Sequence, residues 1–256
     1  MKKTWLMALA LGAALVSGTA VAEGTLRIGT EGAYAPYNFL NDDGKVAGFE
    51  IDLGNALCEQ LAMECKFVLN EWDSIIPNLL AGNYDLIMAG MSITDERKKT
   101  LAFSDEYKPV DPSLYLVVKG TELDFGNLEG KSVGVQGATL QAAFAEEKFG
   151  EKNTIKSYEK SDQFVSDLAA GNVDVVLADG EFIRAMAEGS QGLLEITGPE
   201  EQIGGGIAVG LRQDDAELLE KLNAALDTLK ENGELDQLLE KYFKMKSVYS
   251  TEEAKK

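Results

Sequence analysis

Short apolar runs alternate with amphipathic stretches along this chain. "TLRIGT" (residues 25–30) has the pattern of a buried strand, and "GAYAPYNFLNDDGKVAG" (32–48) reads as a loop with a turn at Asp43-Gly44. Over residues 51–63 the apolar positions Ile51, Leu53, Ala56, Leu57 and Leu61 recur at helical spacing, and "CKFVL" (65–69) follows as a strand. "EWDSIIPNLLAG" (71–82) predicts a second helix ended by Gly82, and "YDLIMA" (84–89) a second strand. Helices alternating with short apolar strands predict an α/β fold with a largely parallel sheet.

The same grammar then restarts. "SVGVQGA" (132–138) echoes "RIGTEGA" (27–33), and "AGNVDVVLAD" (170–179) echoes "AGNYDLIMAG" (81–90) after the helical pattern "SDQFVSDLAAG". Two echoes in the same order predict two lobes on one plan, against the alternative of a chance likeness between βαβ units. Between the copies Pro109 and Pro112 bracket an extended stretch, and the second lobe is expected to end near "GPEEQIGGGIAVGL". Two terminal helices, about 215–231 and 234–244, are too few to make a domain and should return to the first lobe. The expected division is therefore 23–110 with 206–256 as lobe 1 and 111–205 as lobe 2, crossed twice by a two-strand hinge. Ligands bind beyond the carboxyl ends of such strands, so Gly90 and its counterpart Asp179 should face one cleft from opposite walls.

The first 22 residues carry Lys2 and Lys3, an apolar run over 5–16 and small residues at Ala20-Val21-Ala22, the three parts of an export signal cleaved after Ala22. Removing two of the 24 basic residues leaves 22 against 43 acidic ones, a formal charge of −21. A surface that acidic excludes nucleic acid and anionic lipid as default partners. Cys58 and Cys65, the only cysteines, favour a disulfide over a metal site in an oxidising compartment. The absence of histidine removes Ser-His-Asp and Cys-His catalysis and histidine-ligated zinc, and neither a metal nor a cofactor is expected.

Four groups of residues could carry chemistry. In "MSITDERKK" (91–99) Thr94 or Asp95 can cap a helix with Arg97 in its first turn, where a cation is disfavoured unless it has another task. Arg97 could hold a carboxylate, assisted by Ser92 and backbone N–H groups, or its charge could simply pair locally at a solvated helix end. Asp179 could hold an ammonium group or serve as a turn carboxylate before Gly180. Tyr34, Tyr37, Phe39 and Trp72 are either core packing or, for Tyr34 and Trp72, flat faces that sandwich a side chain. Glu31 could meet a positive tip or be an ordinary loop carboxylate. "GNLEGKS" (126–132) is one residue short of a phosphate-binding loop and leads into a strand, so it carries nothing.

"GFEIDLGNALCEQL" (48–61), with "EWDSIIPNL", "MSITDERKK", "AFSDEY" and "VGVQGAT" in order, resembles the family 3 extracellular solute-binding proteins, the periplasmic receptors of polar amino acid ABC transporters. The likeness spans the mature chain and is closest to the lysine/arginine/ornithine-binding subgroup, including the short loop between Cys58 and Cys65. It implies a periplasmic binding protein type 2 fold: two α/β lobes, a two-strand hinge and a ligand cleft between them. It implies that Arg97 clamps an α-carboxylate with Ser92 and the backbone at Thr139, and that Asp179 holds the α-ammonium with Ser92 and the Gly90 carbonyl. Tyr34 and Trp72 would flank the side chain, and Glu31 would meet its cationic tip. Ala89, Gly90 and Ala138 stand where the family often has serines, and Leu140 where a polar residue is common. The implied function is capture of an L-amino acid, arginine first, then lysine or ornithine, and its delivery by a monomer to a membrane permease. A neutral ligand such as glutamine, or a dehydratase-like enzyme on the same fold, are the alternatives.

Overall fold

The computed structural model describes residues 24–249; the expected leader, 1–22 with cleavage after Ala22, lies outside them. In chain order the elements are β1 (Thr25–Thr30), β2 (Ala33–Tyr34), β3 (Asn38–Leu40), β4 (Val46–Ala47), α1 (Phe49–Gln60), β5 (Glu64–Leu69), α2 (Trp72–Leu80) and β6 (Leu86–Ile87). A single 3-10 turn (Arg97–Lys99) precedes β7 (Leu101–Phe103) and β8 (Ser113–Val118). There follow β9 (Ser132–Gln136), α3 (Leu140–Phe149), β10 (Thr154–Tyr158), α4 (Ser161–Ala169), β11 (Val175–Asp179), α5 (Gly180–Gly189), β12 (Leu194–Glu201), β13 (Gly210–Arg212), α6 (Ala216–Glu231) and α7 (Glu234–Phe243).

The strands build two five-stranded sheets, ordered β5-β1-β6-β13-β7 and β10-β9-β11-β8-β12. Three strands run parallel in each, β5, β1 and β6 in one and β10, β9 and β11 in the other. The fourth strand of each sheet is reversed and the fifth is antiparallel to it, so four strands in each point the same way. "Largely parallel" thus describes direction, with one inverted strand inserted. The inverted strands, β8 and β13, are the first strands reached after the chain crosses from one lobe to the other. The crossing segments lie antiparallel at Lys108 and Ile207, which makes the two-strand hinge.

The echoed "AGN-x-D" has a local cause in both lobes. Ala81 and Ala170 end α2 and α4, and the next residues, Gly82 and Gly171, take left-handed φ of 79° and 74°. The Gly82 N–H bonds the Leu79 carbonyl and the Asn83 N–H that of Asn78; Gly171 and Asn172 repeat this with Leu168 and Asp167. Each is a Schellman closure, which satisfies helix-end carbonyls and turns the chain toward its strand. A Cβ on either glycine would meet nothing within 4 Å, so the backbone angle rather than space selects glycine. Asp85 and Asp174 then tie β6 and β11 to the strands beside them: Asp85 accepts from the Arg27 N–H at 2.9 Å, and Asp174 from the Ser132 N–H at 2.8 Å.

Alternation along β6 and β11 covers both faces of each sheet. Leu86 and Met88 join the core with Leu53, Leu57, Leu226 and Leu235, while Ile87 and Ala89 pack with Ile75, Leu79 and Tyr84. Val175 and Leu177 pack with Ala145 and Phe149, while Val176 and Ala178 face Phe164, Leu168 and Phe182. The last helix, α7, packs on α1: Lys241 and Tyr242 both reach Asp52 at 2.7 Å. Cys58 and Cys65 are disulfide-bonded, tying α1 to β5.

Two expectations need correction. The stretch 32–48 is a three-stranded antiparallel meander, β2-β3-β4, whose turn is closed by Asn41 Oδ1 accepting from the Asp43 and Lys45 N–H groups. Pairings this short leave too little alternation to be seen in sequence. The first helix begins at Phe49 rather than 51, because the Phe49 and Glu50 N–H groups bond the Pro36 and Tyr37 carbonyls of the meander. It ends at Gln60 rather than 63, where Ala62 turns left-handed at φ 52° and the Met63 N–H bonds the Cys58 carbonyl.

Candidate functional site

The carboxyl ends of β1, β6, β9 and β11 converge where the lobes meet. There Glu31, Tyr34, Trp72, Gly90, Ser92, Arg97, Thr139 and Asp179 line a single cavity. Tyr37 is instead core, packed on Phe243 at 4.9 Å between ring centroids, and Phe39 faces an outer groove.

Arg97 follows a tight turn in which Thr94 Oγ1 accepts its backbone N–H at 3.1 Å. Its neighbours pair locally, Lys98 with Asp95 and Lys99 with Glu96, but among the described residues no carboxylate lies within ion-pair distance of Arg97. Its guanidinium donates to the Ser92 carbonyl at 2.9 Å and lies 5.3 Å from the centre of the Trp72 ring. Burial lowers its pKa from the ordinary guanidinium value, an effect the Asp179 charge opposes. The cleft thus contains a half-buried cation with unused donors.

Asp179 ends β11 at the start of α5, yet its side chain caps no helix N–H. Its carboxylate accepts from the Tyr34 hydroxyl at 2.7 Å and from Gln141 Nε2 at 3.1 Å. Burial raises its pKa, and the Tyr34 hydrogen bond offsets that in part. Gly90, its counterpart in the repeat, has φ 62° and donates its N–H to Glu50 Oε1 at 2.7 Å, which directs the backbone away from a strand conformation. A side chain would be strained there, which accounts for glycine at that position.

Thr139 caps α3, its hydroxyl accepting from the Ala142 N–H at 3.0 Å and donating to the Gln136 carbonyl at 2.7 Å. The positive end of α3 therefore opens on the same cavity as Arg97, and both favour an anion. Glu31 is only 9 % exposed and accepts from Gln136 Nε2 at 2.6 Å. Burial pushes its pKa up to about 7 against the hydrogen bond from Gln136.

The lobes are closed on one another. Besides the Tyr34 to Asp179 and Gln136 to Glu31 bonds, Trp72 Nε1 donates to the Ala138 carbonyl at 3.2 Å and Ser161 Oγ to the Ala33 carbonyl at 2.6 Å. Tyr34 stacks on Phe182 of the opposite lobe at 4.5 Å, and Lys160 pairs with Glu71 at 3.0 Å. Sequence reasoning missed Gln136, Gln141, Phe182 and Glu50. One signal was present for Gln136: the two echoes place it opposite Glu31.

Residues 26–245 match the bacterial extracellular solute-binding proteins, family 3. The chain belongs to this family. The lysine/arginine/ornithine-binding periplasmic protein of Escherichia coli (strain K12) is 36% identical over 234 residues, covering 86% of this chain and 87% of that protein. Among solved structures, a periplasmic His/Glu/Gln/Arg/opine family-binding protein from Silicibacter pomeroyi in complex with lysine is similar with a TM-score of 0.79 and 41% identity, over 85% of this chain and 96% of the other. An ancestral arginine-binding protein bound to arginine gives a TM-score of 0.82 at 34% identity, over 87% and 99%. Membership in a family of solute-binding proteins agrees with a cleft whose walls carry opposite charges.

Proposed function

We propose that this protein captures a free L-amino acid with a cationic side chain, arginine first and then lysine or ornithine, and is a receptor rather than an enzyme. The observation that carries the reading is the charge layout of one cavity: Arg97 and the α3 N-terminus for a carboxylate, Asp179 for an ammonium, and Glu31 for a positive tip. Ser92 and the Gly90 carbonyl complete the ammonium cage, and Tyr34 and Trp72 flank the side chain. Relatives that bind lysine and arginine support the choice of ligand.

The lobes would be 23–110 with 206–256 and 111–205, hinged at the paired segments around Lys108 and Ile207. Ligand selects the closed form by binding it more tightly than the open one, and the closed form docks as a monomer on an ABC transporter permease in the periplasm. The leader cleaved after Ala22 would deliver it there.

The test is calorimetry on protein stripped of ligand by unfolding and refolding, titrated with single L-amino acids. Arginine, lysine or ornithine should bind and be recovered unchanged, and Arg97→Ala or Asp179→Ala should each abolish binding with the fold intact. Binding of glutamine alone would overturn the specificity, conversion of the ligand would overturn the receptor reading, and near-normal affinity in either variant would overturn the site.

A further inference from the structure

Gln136 is the residue that the internal repeat sets against Glu31. In the paired stretches "RIGTEGA" and "SVGVQGA" the two occupy the same place, each followed by a Gly-Ala pair after its strand. The closed lobes bring these equivalent positions into contact: Gln136 Nε2 donates to Glu31 Oε1 at 2.6 Å, with both residues buried. The second Nε2 hydrogen goes to the Glu159 carbonyl at 3.2 Å, so two acceptors fix the amide with its donor side toward Glu31. Gln136 also lines the cavity that holds Arg97 and Asp179.

A buried carboxylate stays ionised only when donors or cations compensate for its lost water. The charged groups bearing on Glu31 are Glu71 and Asp162, which oppose its charge, and Lys160, which favours it. Lys160 is itself ion-paired with Glu71 at the exposed rim. Gln136 is therefore the one neutral donor on Glu31 from the opposite lobe among the described residues.

We propose that Gln136 is a positioning residue that determines ligand preference, holding Glu31 as an acceptor across the lobe seam so that the cleft closes on a cationic side chain in preference to a neutral carboxamide. This rests on the amino acid reading above. With a cation at its tip Glu31 is ionised whatever the pH near neutrality. Over a neutral side chain it takes up a proton as pH falls through about 7, the value burial gives it in the closed lobes. The preference for arginine over glutamine should then be greatest at high pH and decline as pH falls. Removing the Gln136 donor makes the ionised form costlier, so the midpoint of that decline should move upward.

The experiment compares wild type with Gln136→Met, which keeps length and loses the donor, measuring arginine and glutamine affinities by calorimetry from pH 6 to 9. Gln136→Leu serves as a second variant, with thermal melts to confirm folding. The expected result is an upward shift of the midpoint by about one pH unit and a drop of about tenfold in the arginine-to-glutamine ratio at pH 6. A merely structural Gln136 would weaken both ligands alike and leave the midpoint in place, which would overturn the proposal while leaving the receptor reading intact. Failure of the wild type to bind any amino acid would overturn both.

Discussion

Asp179→Asn separates the binding role of the cleft carboxylate from any contribution to the fold. The side chain accepts hydrogen bonds from Tyr34 and Gln141; an asparagine oxygen can still accept from Gln141, while its amide can only donate to the Tyr34 oxygen, so that one contact is kept with its direction reversed. What disappears is the charge. On the proposed reading that charge pairs with the ligand ammonium in a closed, desolvated cleft, and breaking a buried pair costs about 3–5 kcal/mol. At 1.4 kcal/mol per tenfold, affinity should fall roughly 150- to 4,000-fold. The ligand-free protein should not suffer. Burial raises the Asp179 pKa above its unfolded value, so its ionised form opposes folding: the folded state holds a proton more tightly, and stability falls as pH rises through the shifted pKa. Removing the charge removes that penalty, so the ligand-free variant should melt at or slightly above the wild type at pH 7. Differential scanning fluorimetry with and without arginine reads both effects. At 100 times its dissociation constant, ligand stabilises wild type by about 2.7 kcal/mol, a shift of roughly 5–10 °C, whereas the variant should show none at that concentration. An affinity within about threefold of wild type would refute the charge argument. A ligand-free variant destabilised by several degrees would show that the carboxylate is structural.

Glu50 is fully buried behind the site, where it accepts from the Gly90 N–H, Asn38 Nδ2 and the Tyr107 hydroxyl. Glu50→Ala strands three donors and should cost about 3–5 kcal/mol, a fall in melting temperature of roughly 6–20 °C, and a change below about 1 kcal/mol would refute that role. Replacing Cys58 and Cys65 together by serine should lower the urea-derived stability by roughly 2–3 kcal/mol, from the short loop the bridge closes. Arginine affinity should stay within about twofold, since neither cysteine lines the cleft. A larger loss of affinity would mean that the bridge positions the meander against the ligand.

Much of the fold was legible because its signals are local and repeated. "AGN-x-D" encodes a helix stop, a left-handed turn and a carboxylate tie to the adjacent strand, and each step uses groups within a few residues or on the next strand. Arg97 and Asp179 were legible as anomalies: a cation at the wrong end of a helical turn, and a carboxylate where the first copy has glycine. Residues whose role depends on the lobe seam were not. Phe182 backs Tyr34 from a helix that begins 146 positions after it, and Gln136 reaches Glu31 across 105. No periodicity carries information over such separations. The meander escaped for the opposite reason, since its pairings are local but only two or three residues long.

Closure also has an electrostatic cost that the sequence could only hint at. In the closed lobes Arg97 is driven toward its neutral form by burial, and Asp179 and Glu31 toward theirs, so all three charges resist desolvation. The seam supplies partial compensation through Tyr34 and Gln136, and Gln141 adds to it from the lobe of Asp179, all neutral donors. Hydrogen bonds from neutral groups cannot replace the water shell of three ions, so closing without a ligand is opposed. On the proposed reading a cationic amino acid brings the three missing counter-charges in one molecule: a carboxylate for Arg97, an ammonium for Asp179 and a positive tip for Glu31. The groups that oppose empty closure are then the ones that favour filled closure. That difference in free energy between the two states is what ligand-gated closure requires. A neutral amino acid would satisfy two of the three, so on the proposed reading the Glu31 end of the cleft is where this chain would tell a cationic ligand from a neutral one.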